Sequence, residues 1–155
     1  MNKQFFSGIM LFTVFVLSAA EPVVTPGMVG NWQGSARIIV NWCQQTNLPV
    51  RLKIQRDGTV TRSIGDAVLT QGVFKQNRGS VARTLNLKTD YIIEGQLSGP
   101  IIAAEKISRT SVKMPLNFSG TNFVGGVHTS GSKFGGKRNM ILSAAGLRLQ
   151  RTEGR

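Results

Sequence analysis

The chain has 155 residues, with 19 Lys and Arg against 7 Asp and Glu, a formal net charge of +12 at neutral pH. That length holds one core of ordinary size rather than two, and the charge balance favours anionic partners. With 1 His and 1 Cys, the chain can build neither a Cys/His zinc cluster nor an intrachain disulfide, so no metal and no cofactor is expected.

The N-terminus predicts the compartment. Met1-Asn-Lys3 supplies a short positive start, Phe5 to Leu17 is apolar apart from Ser7, Gly8 and Thr13, and Ser18-Ala-Ala20 places small residues before Glu21-Pro22. This is the three-part pattern of a secretory signal peptide over residues 1–20, cleaved near Ala20. The apolar run is shorter than the roughly 20 residues of a spanning helix. The expected product is exported, periplasmic or extracellular, with no transmembrane segment after processing. Residues 21–29 read as a lead-in and residues 30–155 as the folded domain. Cys43 stands among apolar residues in Val40-Asn-Trp-Cys43, the setting of a buried, inert thiol.

Beyond Pro26 the pattern becomes a series of short strands. Val50-Arg-Leu-Lys-Ile54 alternates apolar with charged residues; Asp57-Gly58 follows, then Val60-Thr-Arg-Ser-Ile64. Asp-Gly between two such runs predicts a hairpin. Val68 to Phe74, Tyr91 to Leu97 and Val112 to Phe118 read as further strands, and Met140 to Leu142 with Leu147 to Arg151 as the last, around Gly146. Turn residues recur at Asn47, Asn77-Arg-Gly79, Gly99-Pro100, Gly120-Thr-Asn122 and Gly135-Gly136, and the chain holds 18 Gly. The rhythm predicts an all-β sandwich or barrel. Ile101 to Ile107 reads either as two helical turns after Pro100 or as a strand.

Gly30-Asn-Trp32, followed by Gly34 and Ala36 to Val40, resembles the Gly-x-Trp opening of the calycin barrels: lipocalins, fatty-acid-binding proteins and avidin. That resemblance implies a single antiparallel up-and-down barrel of about eight strands, lipocalin-like. It further implies that Trp32 closes one end and that a basic residue of the last strand packs across it. If Leu147 and Leu149 face inward, period two brings Arg151 to the inner phase. Gly30, Trp32 and Arg151 are therefore the expected barrel-closing set, with Arg151 over the Trp32 ring in a cation–π contact worth about 0.5–2 kcal/mol. The stretches Gly65-Asp-Ala67, Leu116-Asn-Phe118 and Gly125 to Lys137 also resemble exported bacterial proteins of unassigned function.

Gly131-Ser-Lys-Phe-Gly-Gly136-Lys137 matches the first part of a G-x-x-x-x-G-K phosphate loop, but Arg138 stands where the Mg²⁺-binding hydroxyl is needed, and a strand pattern rather than a helix follows. A nucleotide site is excluded on those grounds. The same stretch reads as a long hairpin loop between the last two strands. Its hydroxyls and cations, Ser130, Ser132, Lys133, Lys137 and Arg138, are candidates for an anion-binding rim, since Gly-rich turns present amides to anions. Their alternative role is a solvated edge. His128 beside Thr129, Ser130 and Ser132 invites a nucleophile reading, yet no carboxylate lies near it in sequence to orient it; it is expected at the rim, and no catalytic residue is assigned.

The functional expectation is an exported, non-catalytic carrier of a small, partly apolar or amphipathic ligand inside a calycin-like barrel. The alternative is a structural or adaptor module that holds an anionic envelope polymer or an acidic protein on its basic surface. Nucleic acid is disfavoured, because the cations are scattered and few aromatic residues accompany them.

Overall fold

The structure, a computed structural model, describes residues 23–77, 89–131 and 141–152. The expected signal peptide over 1–20 lies outside them. Segments that alternate apolar with polar residues bury one face and wet the other, the condition for a strand on a barrel wall. Such segments form β1 (Gly30–Ile38), β2 (Asn47–Ile54), β3 (Thr59–Ile64), β4 (Ala67–Gln76), β5 (Tyr91–Ser98), β8 (Ser111–Phe118), β9 (Asn122–Ser130) and β10 (Leu142–Thr152). They close into an antiparallel barrel in the order β1-β10-β9-β8-β5-β4-β3-β2, the up-and-down, eight-stranded architecture expected from sequence. The ambiguous segment near Ile101 resolves as extended: β6 (Pro100–Ile102) and β7 (Ile107–Ser108) pair as a separate two-stranded sheet inserted between β5 and β8.

Local chemistry sets the bends. The Asp57 carboxylate accepts hydrogen bonds from the Thr59 amide and hydroxyl, both at 2.9 Å, and Gly58 follows it at φ 85°. Register shifts between Ser35 and Arg37 on β1, and between Ala144 and Leu147 on β10, bend the strands where the wall must curl. At Gly34 a Cβ would run into the Arg148 carbonyl, so only glycine lets β1 and β10 approach so closely there.

Both ends of the barrel are covered. At one end a 3₁₀ turn, η1 (Pro26–Met28), precedes β1. Met28 and Val24 are buried, the Trp32 Nε1–H donates to the Met28 carbonyl at 2.9 Å, and a Cβ on Gly27 would touch Phe118. The lead-in thus crosses the mouth over an aromatic cluster: Trp32 meets Phe123 edge-on at 4.7 Å and Phe118 at 6.1 Å, and Phe74 meets Tyr91 at 5.1 Å. At the other end Ile101, Ile102 and Ile107 of the inserted hairpin are buried.

Between the two covers the described inward side chains pack against one another. Leu52, Ile64, Ile93, Met114 and Phe123 are each 0 % exposed, so no water-sized space touches them. Each such side chain contributes about 1.5–3 kcal/mol through burial. A chain with no intrachain disulfide stands on this packing.

Candidate functional site

The residues singled out at the Gly-x-Trp opening come together. Trp32 and Arg151 are directly opposed across β1 and β10, the pairing that the calycin resemblance implied. The guanidinium, however, does not stack on the indole. Its Nη2 donates to the Val29 carbonyl at 2.6 Å, and its edge lies where a Gly30 Cβ would sit, 3.2 Å away. The reason is steric: Phe118 and Phe123 crowd the Trp32 ring, while Gly30, at φ 138°, leaves room for the guanidinium. The cation–π contact among the described residues is elsewhere, with Arg109 5.2 Å from the centre of the Trp42 ring.

Of the expected anion-binding rim, Ser130 lies at the end of β9, its hydroxyl against that of Ser111. Ser132, Lys133, Lys137 and Arg138 fall outside the described residues. His128 points outward from β9, and antiparallel register gives it a partner far off in sequence: its Nδ1 lies 3.1 Å from the Ser143 hydroxyl. Four carboxylates that could have oriented it, Asp57, Asp66, Glu94 and Glu105, are engaged elsewhere. Asp57 holds its turn, and Asp66 accepts from the Ala103 amide at 2.8 Å. Glu94 binds Lys75 at 2.8 Å and Lys113 at 3.0 Å, and these two lysines hold its carboxyl below the usual carboxylate range.

Glu105, in the turn of the inserted hairpin, accepts from the Gln45 amide at 2.8 Å and the Gln44 amide at 3.1 Å, which keep its carboxyl below the usual range. With Asp66 it stitches the hairpin onto the neighbouring loops. A carboxyl lowered in the fold stabilises above its unfolded value, and that stabilisation fades as pH falls through the lowered value. As Glu105 is protonated, below the usual carboxylate range, the Gln44 and Gln45 amides are therefore expected to lose protection relative to their intrinsic exchange rates. Cys43 is half-buried, with Sγ 3.5 Å from Glu105; burial first, then that hydrogen bond, pushes its thiol up. Glu105→Gln is expected to speed alkylation of Cys43 by iodoacetamide at pH 8 a few-fold, because the neighbouring charge no longer opposes the thiolate. An unchanged rate would remove Glu105 from this role.

The strongest chemical asymmetry lies on the outside of the wall β10-β1-β2-β3. These strands contain no Asp or Glu, and their outward positions carry Arg37, Arg51, Lys53 and Arg148. Register sets these cations among amides and hydroxyls: Arg148 opposes Ser35, Arg51 opposes Gln33, which in turn opposes Gln150, and Lys53 opposes Asn31. On the facing wall the outward cations Lys75 and Lys113 share Glu94 instead. A shallow groove of about 560 Å³ lies between Arg51 and Arg148, bordered by Gln33, Ser35 and Gln150. A second hollow of about 430 Å³, farther along the same strands, is bordered by Asn31, Lys53, Arg56 and the Asp57 carboxylate.

Arg62 joins this wall through strained backbone. It shares the phase of Val60 and Ile64, both buried, and opposes Leu52, so plain alternation would turn it inward. A register shift and φ 103° re-aim it to solvent, where its Nη2 donates to Asn31 at 3.2 Å. A non-glycine residue at such φ costs about 1–3 kcal/mol. Arg62→Gly is expected to raise stability to chemical denaturation by about 1 kcal/mol, and a loss of stability on this change would mean that the side chain, not strain, dominates. No family model, curated protein or solved structure matches the chain.

Proposed function

We propose that this protein is an exported, non-catalytic binding module that holds an anionic partner on the outer wall β10-β1-β2-β3. The observation that carries the reading is the concentration of unbalanced cations on that wall, beside a facing wall whose lysines share a carboxylate. Charge of one sign over a surface raises the local concentration of counter-charged partners and speeds their encounter. The His128–Ser143 pair lies on β9 and β10 with no carboxylate bonded to the imidazole among the described residues.

The barrel is compatible with a calycin-like fold, and a small apolar ligand inside it is the reading that fold would suggest. Among the described residues, the packed inward side chains and the two covered mouths favour the outer wall instead. Native mass spectrometry of the protein purified gently from its own host discriminates the two. A bare polypeptide mass is expected, and a small molecule released on denaturation would restore the carrier.

The anion reading is tested by equilibrium binding to heparin, oligo-dT and polyglutamate across a salt series. At least one polyanion is expected to bind, with log Kd rising against log salt at a slope of about three to four, as for a handful of displaced counterions. Absence of binding to all three at 50 mM salt would overturn the reading.

A further inference from the structure

We infer that the partner held on this wall is an acidic polysaccharide chain, one whose sugars carry carboxylate or sulfate groups. The inference rests on the anion-holding wall proposed above and adds the class of polymer. Three features of the wall carry it.

Cations and uncharged hydrogen-bonding groups alternate over the surface. Arg148 stands beside Ser35, Arg51 beside Gln33 and Gln150, and Lys53 beside Asn31. An acidic glycan presents the complementary mixture, with anionic groups set among many hydroxyls. Amide side chains both donate to and accept from hydroxyls, and guanidinium forks pair with carboxylate or sulfate oxygens. A surface that selected for charge alone would have no use for Gln33 and Gln150 in the groove between its two arginines.

The groove and its neighbour follow one another along the same strands, and Asp57 borders only the far end. Residues Gln33 and Arg51 border the first hollow; Asn31 and Lys53, two positions along the same strands, border the second. Arg51 and Lys53 stand about 7 Å apart along β2, and two strand spacings, about 10 Å, separate the β2 and β10 rows. Such a track fits an extended chain laid over the wall better than a compact ligand.

Rival polymers find no anchor. The outward positions within these strands carry no aromatic ring; the exposed Ile39 and Ile141 stand at one end of the wall, one residue beyond β1 and β10, and Val68 and Val73 lie on β4. Single-stranded nucleic acid is held by stacking on aromatic side chains. Protein partners are held by aromatic or aliphatic anchors at a desolvated centre. A wet surface of arginines and amides offers neither.

The test compares polymers of equal charge at 150 mM NaCl, by calorimetry on the protein purified from its own host. The polymers are polygalacturonate, heparin, polyglutamate and oligo-dT, with methyl-esterified polygalacturonate as the uncharged control. One of the two acidic glycans is expected to bind at least tenfold tighter than polyglutamate and oligo-dT, and the methyl ester not to bind. Gln33→Ala with Gln150→Ala is expected to weaken the glycan about fivefold and leave the other two polyanions unchanged; both side chains are exposed, so the double variant should melt as the parent does. Equal binding of all polyanions, or a preference for polyglutamate or oligo-dT, would overturn the glycan inference and leave the anion-holding wall standing. Binding of none would remove both.

Discussion

Replacing Arg51 and Arg148 together by Gln is expected to weaken polyanion binding by about tenfold or more and to lower the salt slope by roughly one to two. The two guanidiniums flank the groove from different strands, with Ser35, Gln33 and Gln150 between them. A solvent-exposed charge contact contributes modestly, up to about 1 kcal/mol, and two of them compound to a factor near ten. The matching control is Lys75→Gln with Lys113→Gln, which removes equal charge from the facing wall. Those lysines are already shared with Glu94, so the control should change affinity by less than about twofold. Equal losses in the two pairs would mean that net charge, not the wall, sets affinity. Melting curves of the arginine variant should overlay the parent, since both side chains are exposed.

Trp32→Ala is expected to destabilise the fold by about 3–5 kcal/mol, lowering the melting temperature by on the order of 10–20 °C. The indole is 1 % exposed, packs edge-on against Phe118 and Phe123, and donates to the Met28 carbonyl. Its loss opens a cavity and releases the lead-in that covers that mouth. Trp32→Phe should recover much of the packing and leave the Met28 carbonyl without its donor, an intermediate cost of about 1–3 kcal/mol. Near-ultraviolet circular dichroism with thermal melts separates the three proteins. A Trp32→Ala variant as stable as the parent would contradict the account of how this end is closed.

The all-β class was legible because the strands obey one rule, and the Gly-x-Trp resemblance narrowed it to a barrel. Val50, Leu52 and Ile54 alternate with Arg51 and Lys53, and Asp57-Gly58 marks the hairpin. The opposition of Trp32 and Arg151 was implied by the Gly-x-Trp resemblance, with strand phase selecting Arg151. What the Arg151 head group does was not legible, because the crowding of Trp32 by Phe118 and Phe123 is a tertiary fact. The basic wall was hidden for a similar reason. Arg51 and Arg148 lie far apart in the chain and meet only when the sheet closes, with β1 between them. Arg62 was actively misleading, since period two assigns it to the core and only a backbone irregularity turns it out. Proximity in sequence likewise pointed His128 toward Ser130, whereas register gives it Ser143. Nothing in the sequence marks Asp66 and Glu105 as the acids that structure the ends, because their partners, Ala103 and the Gln44 and Gln45 amides, come from other loops.

The central claim is that ligand is held outside the barrel rather than in it. Backbone amide chemical shifts of the isotopically labelled protein, followed during titration with short heparin oligomers, address it residue by residue. The account predicts that shifts concentrate at Gln33, Ser35, Arg51, Lys53, Arg148 and Gln150 and spare Ile93, Met114 and Phe123. Shifts centred on those inward residues, or spread evenly over both walls, would contradict it.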